Sequence, residues 1–296
     1  MMKKIRYLIT FILTAVSMNA FAAETIKIAW PFGFGNYYAS LLALAGNANK
    51  EQSKYNFIVE LKQGASGNIA ANYVDSQPAN TLMLTSTTFV IKQLTTPGGT
   101  EILDKFVPIY VTQTNTPLVV VSKEFKTIDE LLRKKDVNIG ISAAGGISDI
   151  IAKQLLRGTT GQAIPHRGLV DAINAVAAGQ VDAAMGTATD SIGFVEEGRL
   201  NVLGSTGTHG PKPFNQKQFP GIEKLATSFA IYSSVKMPLG KRQEIHQILS
   251  TAGLNDNVRN LIKPDYCTMP YFTYIQTQKW FDGERKYWES IVNNQP

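Results

Sequence analysis

From residue 25 onward the hydrophobic positions fall into short apolar runs separated by longer amphipathic stretches. Runs at 25–30, 56–61 and 81–85 have strand length, and the stretches at 36–47, 68–76 and 88–94 place apolar residues such as Leu41, Leu42 and Ala45 on one helical face. The pattern restarts after Pro117 with a run at 118–122, followed by a helix whose start is marked by Thr127 and Glu130 at capping-box spacing. Further units follow at 137–141 and 147–157, where Ile147, Ile150, Ile151 and Leu155 share a face and Gly158 supplies the stop. Then come 163–166, 169–178 ending at Gly179, and 182–187. A run at 201–206 leads into a loop at 209–220, 228–234 reads as a strand, and the tail from Lys241 reads as helical. In that tail Tyr274, Phe281 and Trp288, spaced by seven, form an apolar stripe suited to docking on a core.

Alternating strands and helices predict an α/β fold with mostly parallel sheets and helices on both faces. Two sets of units joined by crossings near 108–122 and 227–237 predict two lobes, one of residues 23–119 with 228–296, the other of residues 120–227. In open α/β sheets ligands bind outside the carboxyl ends of the strands, which here is the cleft between the lobes.

Upstream of this pattern, Lys3, Lys4 and Arg6 precede an apolar stretch shorter than the roughly 20 residues of a spanning helix, and Ala20-Phe21-Ala22 follows it. That is the form of a secretory signal peptide over residues 1–22, cleaved after Ala22, with no nearby cysteine for a lipid anchor. Of 29 basic and 23 acidic residues, giving +6, the segment holds those three basic ones and no acid, so the exported chain carries +3. A balance so small and so dispersed argues against nucleic-acid binding. With Cys267 alone no internal disulfide can form, and it reads as a small buried apolar side chain. His166, His209 and His246 lack metal-ligand spacing, so no metal and no cofactor is expected.

Four strand-to-helix turns are rich in small residues. The first is Phe32-Gly33-Phe34-Gly35-Asn36, the second Gly64-Ala65-Ser66-Gly67. Glycine lets the backbone approach a ligand, and a helix start offers unpaired N–H groups and partial positive charge to a carboxylate. Phe32 and Phe34 either wall a ligand or pack on the sheet. The third turn, Ser142-Ala143-Ala144-Gly145-Gly146-Ile147-Ser148, adds two hydroxyls, although Ser148 serves equally as a helix cap. The fourth, Pro165-His166-Arg167-Gly168, offers a guanidinium for bidentate pairing, or simply a surface arginine. Gly-rich turns also serve plain chain reversal. None of the four has the P-loop or G-x-G-x-x-G pattern, neither Ser66 nor Ser142 sits in a G-x-S-x-G elbow, and Glu196-Glu197 reads as a solvated helix end. No enzyme is expected.

At these turns the chain resembles the extracytoplasmic receptors of tripartite tricarboxylate transporters, the Bug or TctC-like family. The run from Val59 to Ala70, VELKQGASGNIA, is similar to the family's VEN-x-PGAGG-x-IA, and Ile164-Pro165-His166-Arg167-Gly168 to its V-P-Y-K-G. Gly179-Gln180-Val181-Asp182 and the run from Glu197 to Leu203 follow in the family's order. The resemblance implies a type II periplasmic binding protein fold, a monomer in the periplasm, and capture of a small organic carboxylate for integral-membrane transporter subunits. It places ligand contacts on Phe32 to Asn36, Gly64 to Gly67, Ser86, Thr87, Ser142 to Ser148, Arg167, Gly168 and Thr187. The first turn departs from the family's G-G-x-x-D with a following A-R: Phe34-Gly35-Asn36-Tyr37-Tyr38 and Leu41-Leu42 stand there, without acid or arginine. Tyr37 and Tyr38 suggest an aromatic-lined pocket. A ligand-sensing module signalling through a membrane partner is the alternative role.

Overall fold

The structure, a computed structural model, describes residues 23–207, 210–262 and 266–293. The expected signal peptide and His209 lie outside the described residues. β1 (Glu24–Trp30), β2 (Tyr55–Leu61) and β3 (Thr81–Ser86) form one parallel group with β1 in the middle. All six residues of β3 are buried, as expected of a strand covered on both faces. The helix Asn36–Glu51 buries Tyr37, Leu41, Leu44, Ala45 and Ala48, a spacing of three and four, in one core with Ile26, Ile28 and Phe57.

β4 (Phe106–Ser122) is much longer than the run at 118–122 predicted from the sequence. Pro108 and the polar series Thr112-Gln113-Thr114-Asn115-Thr116 interrupt the alternation, and the strand absorbs them as irregularities between Pro108 and Tyr110 and twice more before Thr116. Asn115 takes a left-handed φ of 53°, which asparagine tolerates better than most residues.

The second group holds β5 (Asn138–Ile141), β6 (Gln162–Pro165), β7 (Ala183–Thr187) and β8 (Asn201–Ser205), with β5 parallel to both β6 and β7. Its first helix, Ile128–Arg133, has the predicted capping box: Thr127 accepts from the Glu130 N–H while Glu130 reaches back to the Thr127 N–H. The chain returns through β9 (Ala226–Ser234).

Among the described residues the strand order is β2-β1-β3-β9-β4-β7-β5-β6, with β8 also on β4. Each group is parallel within itself, but β4 and β9 run antiparallel to their neighbours. The expectation of mostly parallel sheets therefore stops at the crossings, because β4 carries the chain out of the first group and β9 carries it back.

The C-terminal helix Tyr274–Asn293 lies across both groups. Tyr274 packs on the first core, Phe281 packs edge-on against Tyr232 at 5.5 Å, and Trp288 is buried with Leu118, Ile151 and Leu155 of the second. No described helix is long and apolar enough to cross a membrane. Truncation of the fully enclosed indole by Trp288→Ala is expected to cost about 3–5 kcal/mol in chemical denaturation, as for other buried aromatics.

Candidate functional site

The first turn is held from both sides. The Trp30 indole donates to the Gly33 carbonyl at 3.0 Å, and Gln63 Nε2 donates to the Phe32 carbonyl at 2.5 Å. This turns Phe32 edge-on to Trp30, with ring centres 5.3 Å apart, and brings it near Phe229 of β9. Tyr37, one residue into the helix, stacks on Phe229 at 4.8 Å.

The helix Asn36–Glu51 has no cap from a side chain of its own N-cap residue, Gly35. Its first N–H instead donates to Asp190 Oδ1 of the second group at 2.9 Å, and Asn36 Nδ2 donates to the Thr189 carbonyl at 2.8 Å. Asp190 is fixed in turn by Thr187, whose hydroxyl donates to Oδ2 at 2.9 Å and accepts from the Asp190 N–H at 3.1 Å. The positive end of a helix thus faces a carboxylate supplied by the protein itself. Burial raises the pKa of Asp190 above the ordinary carboxylate value, and the Thr187 hydroxyl and Asn36 N–H partly offset this.

These contacts close the two groups over a cavity walled by Trp30, Phe32, Tyr37 and Phe229 on one side and by Leu169, Val170, Thr187 and Asp190 on the other. It offers about 50 Å³ to water-sized molecules, room for a few waters or one small head group at roughly 10–15 Å³ per water. Among the described residues lining it none is Lys, Arg or His. The Tyr37 phenol is buried beside Asp190, with the Thr187 and Thr189 hydroxyls as its polar neighbours. Its pKa is raised, first by burial and then by the Asp190 charge.

Of the residues expected from the sequence, the structure brings Phe32, Gly33, Gly35, Ser86, Ser142 and Thr187 to this inner cavity. Gly64, Ala65, Ser66 and Arg167 line a wider opening outside it, and Ser142 lines both. The 64–67 turn is conformationally demanding, because Ala65 and Ser66 take left-handed φ values of 48° and 56° between two glycines that also have positive φ. Arg167 is an exposed side chain paired with Asp171 at 3.0 Å.

The others support the walls. Ser148 is not the cap of its helix, since Gly146 stands there; its hydroxyl accepts from the Ser142 N–H at 3.1 Å and meets the Ser142 hydroxyl at 2.8 Å. Gly145 and Gly146 let the third turn approach Lys92 and Thr88 of the first group, where a Cβ on Gly146 would stand 2.7 Å from Thr88 Cγ2. Gly168 lies against Gly33, Gly67 against Thr85, and Thr87 accepts from the Ser228 N–H at 2.8 Å, bracing β9. Phe34 is 59% exposed and packs on Tyr38 outside the cavity.

Asp190, Phe229, Trp30, Thr88, Leu169 and Val170 were not singled out by the sequence reading. Asp190 carried a signal, a Thr-x-x-Asp cap directly after a strand, whereas Phe229 carried none, being one apolar residue within an apolar run. Among the described residues no cluster of three or more His, Cys, Asp or Glu is placed to hold a metal ion.

No family model matches the chain. A curated relative, "UPF0065 protein in tcbD-tcbE intergenic region" of Pseudomonas sp. (strain P51), is 26% identical over 204 residues, 65% of this chain and 61% of the relative's own length. Among solved structures, the periplasmic binding protein BugD superposes with a TM-score of 0.79 at 17% identity, covering 91% of this chain and 97% of that one. R. palustris Rpa4515 with adipate gives 0.77 at 20% identity, covering 91% and 96%. MatC from Rhodopseudomonas palustris with bound malate gives 0.75 at 17%, covering 91% and 99%. The chain has the two-lobed α/β fold of the Bug and TctC-type periplasmic binding proteins.

Proposed function

We propose that the protein is a periplasmic receptor that closes on a small organic carboxylate and passes it, without turnover, to the integral-membrane subunits of a tripartite tricarboxylate-type transporter. The observation that carries this reading is the enclosed cavity between two groups of strands, sealed by Asn36, Asp190 and Thr189 contacts that separation of the lobes would break. Solved relatives of the same fold hold adipate and malate. Lobe one comprises residues 23–119 and 228–296 and lobe two residues 120–227; residues 1–22 direct export and are removed in the process, and the exported protein is a monomer. The ligand carboxylate is held at the wider opening, which is lined by the 64–67 turn, Ser142 and Arg167, with the guanidinium as its cationic partner.

Two measurements test this. In a thermal-shift screen of malate, adipate, citrate and acidic amino acids, a cognate ligand at 100 times its Kd is expected to add about 2.7 kcal/mol of stability. Silence across that set would remove the carboxylate reading. Gly35 has φ of −169°, which any residue adopts, yet a Cβ there would lie 2.8 Å from both Asp190 Oδ1 and Val170 Cγ2 across the cleft. Gly35→Ala is therefore expected to fold normally but to close poorly, showing a larger radius of gyration by small-angle scattering and at least a tenfold weaker Kd for whichever ligand stabilises the parent.

A further inference from the structure

We propose that the inner end of the cleft takes a positively charged head group, with Asp190 as its counter-ion, so that the cargo carries an ammonium at one end and a carboxylate at the other. This rests on the receptor reading above and narrows its ligand class. The inner cavity holds one carboxylate and, among the described residues, no cationic side chain. Four aromatic residues, Trp30, Phe32, Tyr37 and Phe229, line it. Aromatic faces attract cations through their quadrupole, and a desolvated carboxylate beside them strengthens the preference.

A ligand carboxylate in the same place meets the opposite situation. The helix N–H that would receive it already donates to Asp190, and two like charges in one dry space disfavour one another's ionisation. The Tyr37 phenol, nine-tenths or more buried and lining the cavity, is a further polar group beside the head group. At about 50 Å³ the cavity fits a head group and not a whole metabolite. Ser142 lines both this cavity and the outer opening, so a short aliphatic spacer can run from Asp190 to the 64–67 turn and Arg167.

The test is isothermal titration of the mature protein with ω-amino acids from 4-aminobutanoate to 6-aminohexanoate, each paired with the dicarboxylate of matching length. At the best length the amino acid is expected to bind at least tenfold more tightly than its diacid partner. Asp190→Asn, whose amide oxygen still accepts from the Asn36 N–H, is expected to weaken the amino acid at least tenfold and to reverse the preference. Phe32→Leu, which removes a partly exposed wall and leaves the Asp190 contacts alone, is expected to cost the amino acid about two- to fivefold, the scale of a single cation–π contact. Tighter binding of the diacids by the parent protein would overturn the proposal and leave the carboxylate receptor standing. Equal losses for both ligand classes in Asp190→Asn would reduce Asp190 to a closure contact and overturn it as well. Absence of binding by both series and by the acids of the thermal-shift screen would remove the receptor reading itself.

Discussion

The antiparallel pairing of β4 with β9 is the constraint on which the molecule depends. A single strand of 17 residues belongs to both sheets, pairing with β9 along most of its length and with β7 and β8 at its end. The lobes are thereby tethered by extended backbone whose register shifts at Gln113 to Thr116, where the polar series and the left-handed Asn115 break the regular ladder. Hinge motion needs only a few residues that absorb backbone rotation, and an irregular strand pair supplies them, so a fold joined this way can open while each core stays intact. The C-terminal helix spans the same junction, with Phe281 and Trp288 seated in different cores.

The contact between the lobes centres on one helix end. The start of Asn36–Glu51 faces the cleft without a cap from its own turn, and Asp190 arrives from the other lobe to fill that role. A carboxylate so placed gains from the helix dipole, on the order of 1 kcal/mol, and loses from desolvation. The glycines at 35 and 146 have a common purpose: each removes a Cβ that would clash with the opposite lobe, at 2.8 and 2.7 Å, so they limit how close the lobes come. In the 64–67 turn the glycines serve instead to permit positive φ, and Ala65 and Ser66 bear the same conformation without that freedom.

Much of the fold was legible locally. Six-residue apolar runs, helical spacing, the Thr127 and Glu130 box and the glycine stops after 157 and 178 each act within a few residues, and the elements lie where these signals put them. The first half of β4 was illegible because its pairing partner, not its own alternation, makes it a strand. The candidate site divides in the same way. Turns that start helices were visible as small-residue clusters. The aromatic wall contributed by Phe229 was not, since nothing in an apolar strand says which of its residues faces a cleft.

The sequence by itself determined the two sets of βα units, the crossings between them and the turns that reach the cleft, because periodicity and turn chemistry are properties of neighbouring residues. Only the tertiary structure decided that the first helix start is occupied by Asp190, 154 positions away, and that the inner cavity is aromatic and acidic while the outer opening carries the arginine. That division comes from how the lobes meet. Charge and burial at an interface depend on which surfaces are brought together, and no local pattern along the chain records that choice.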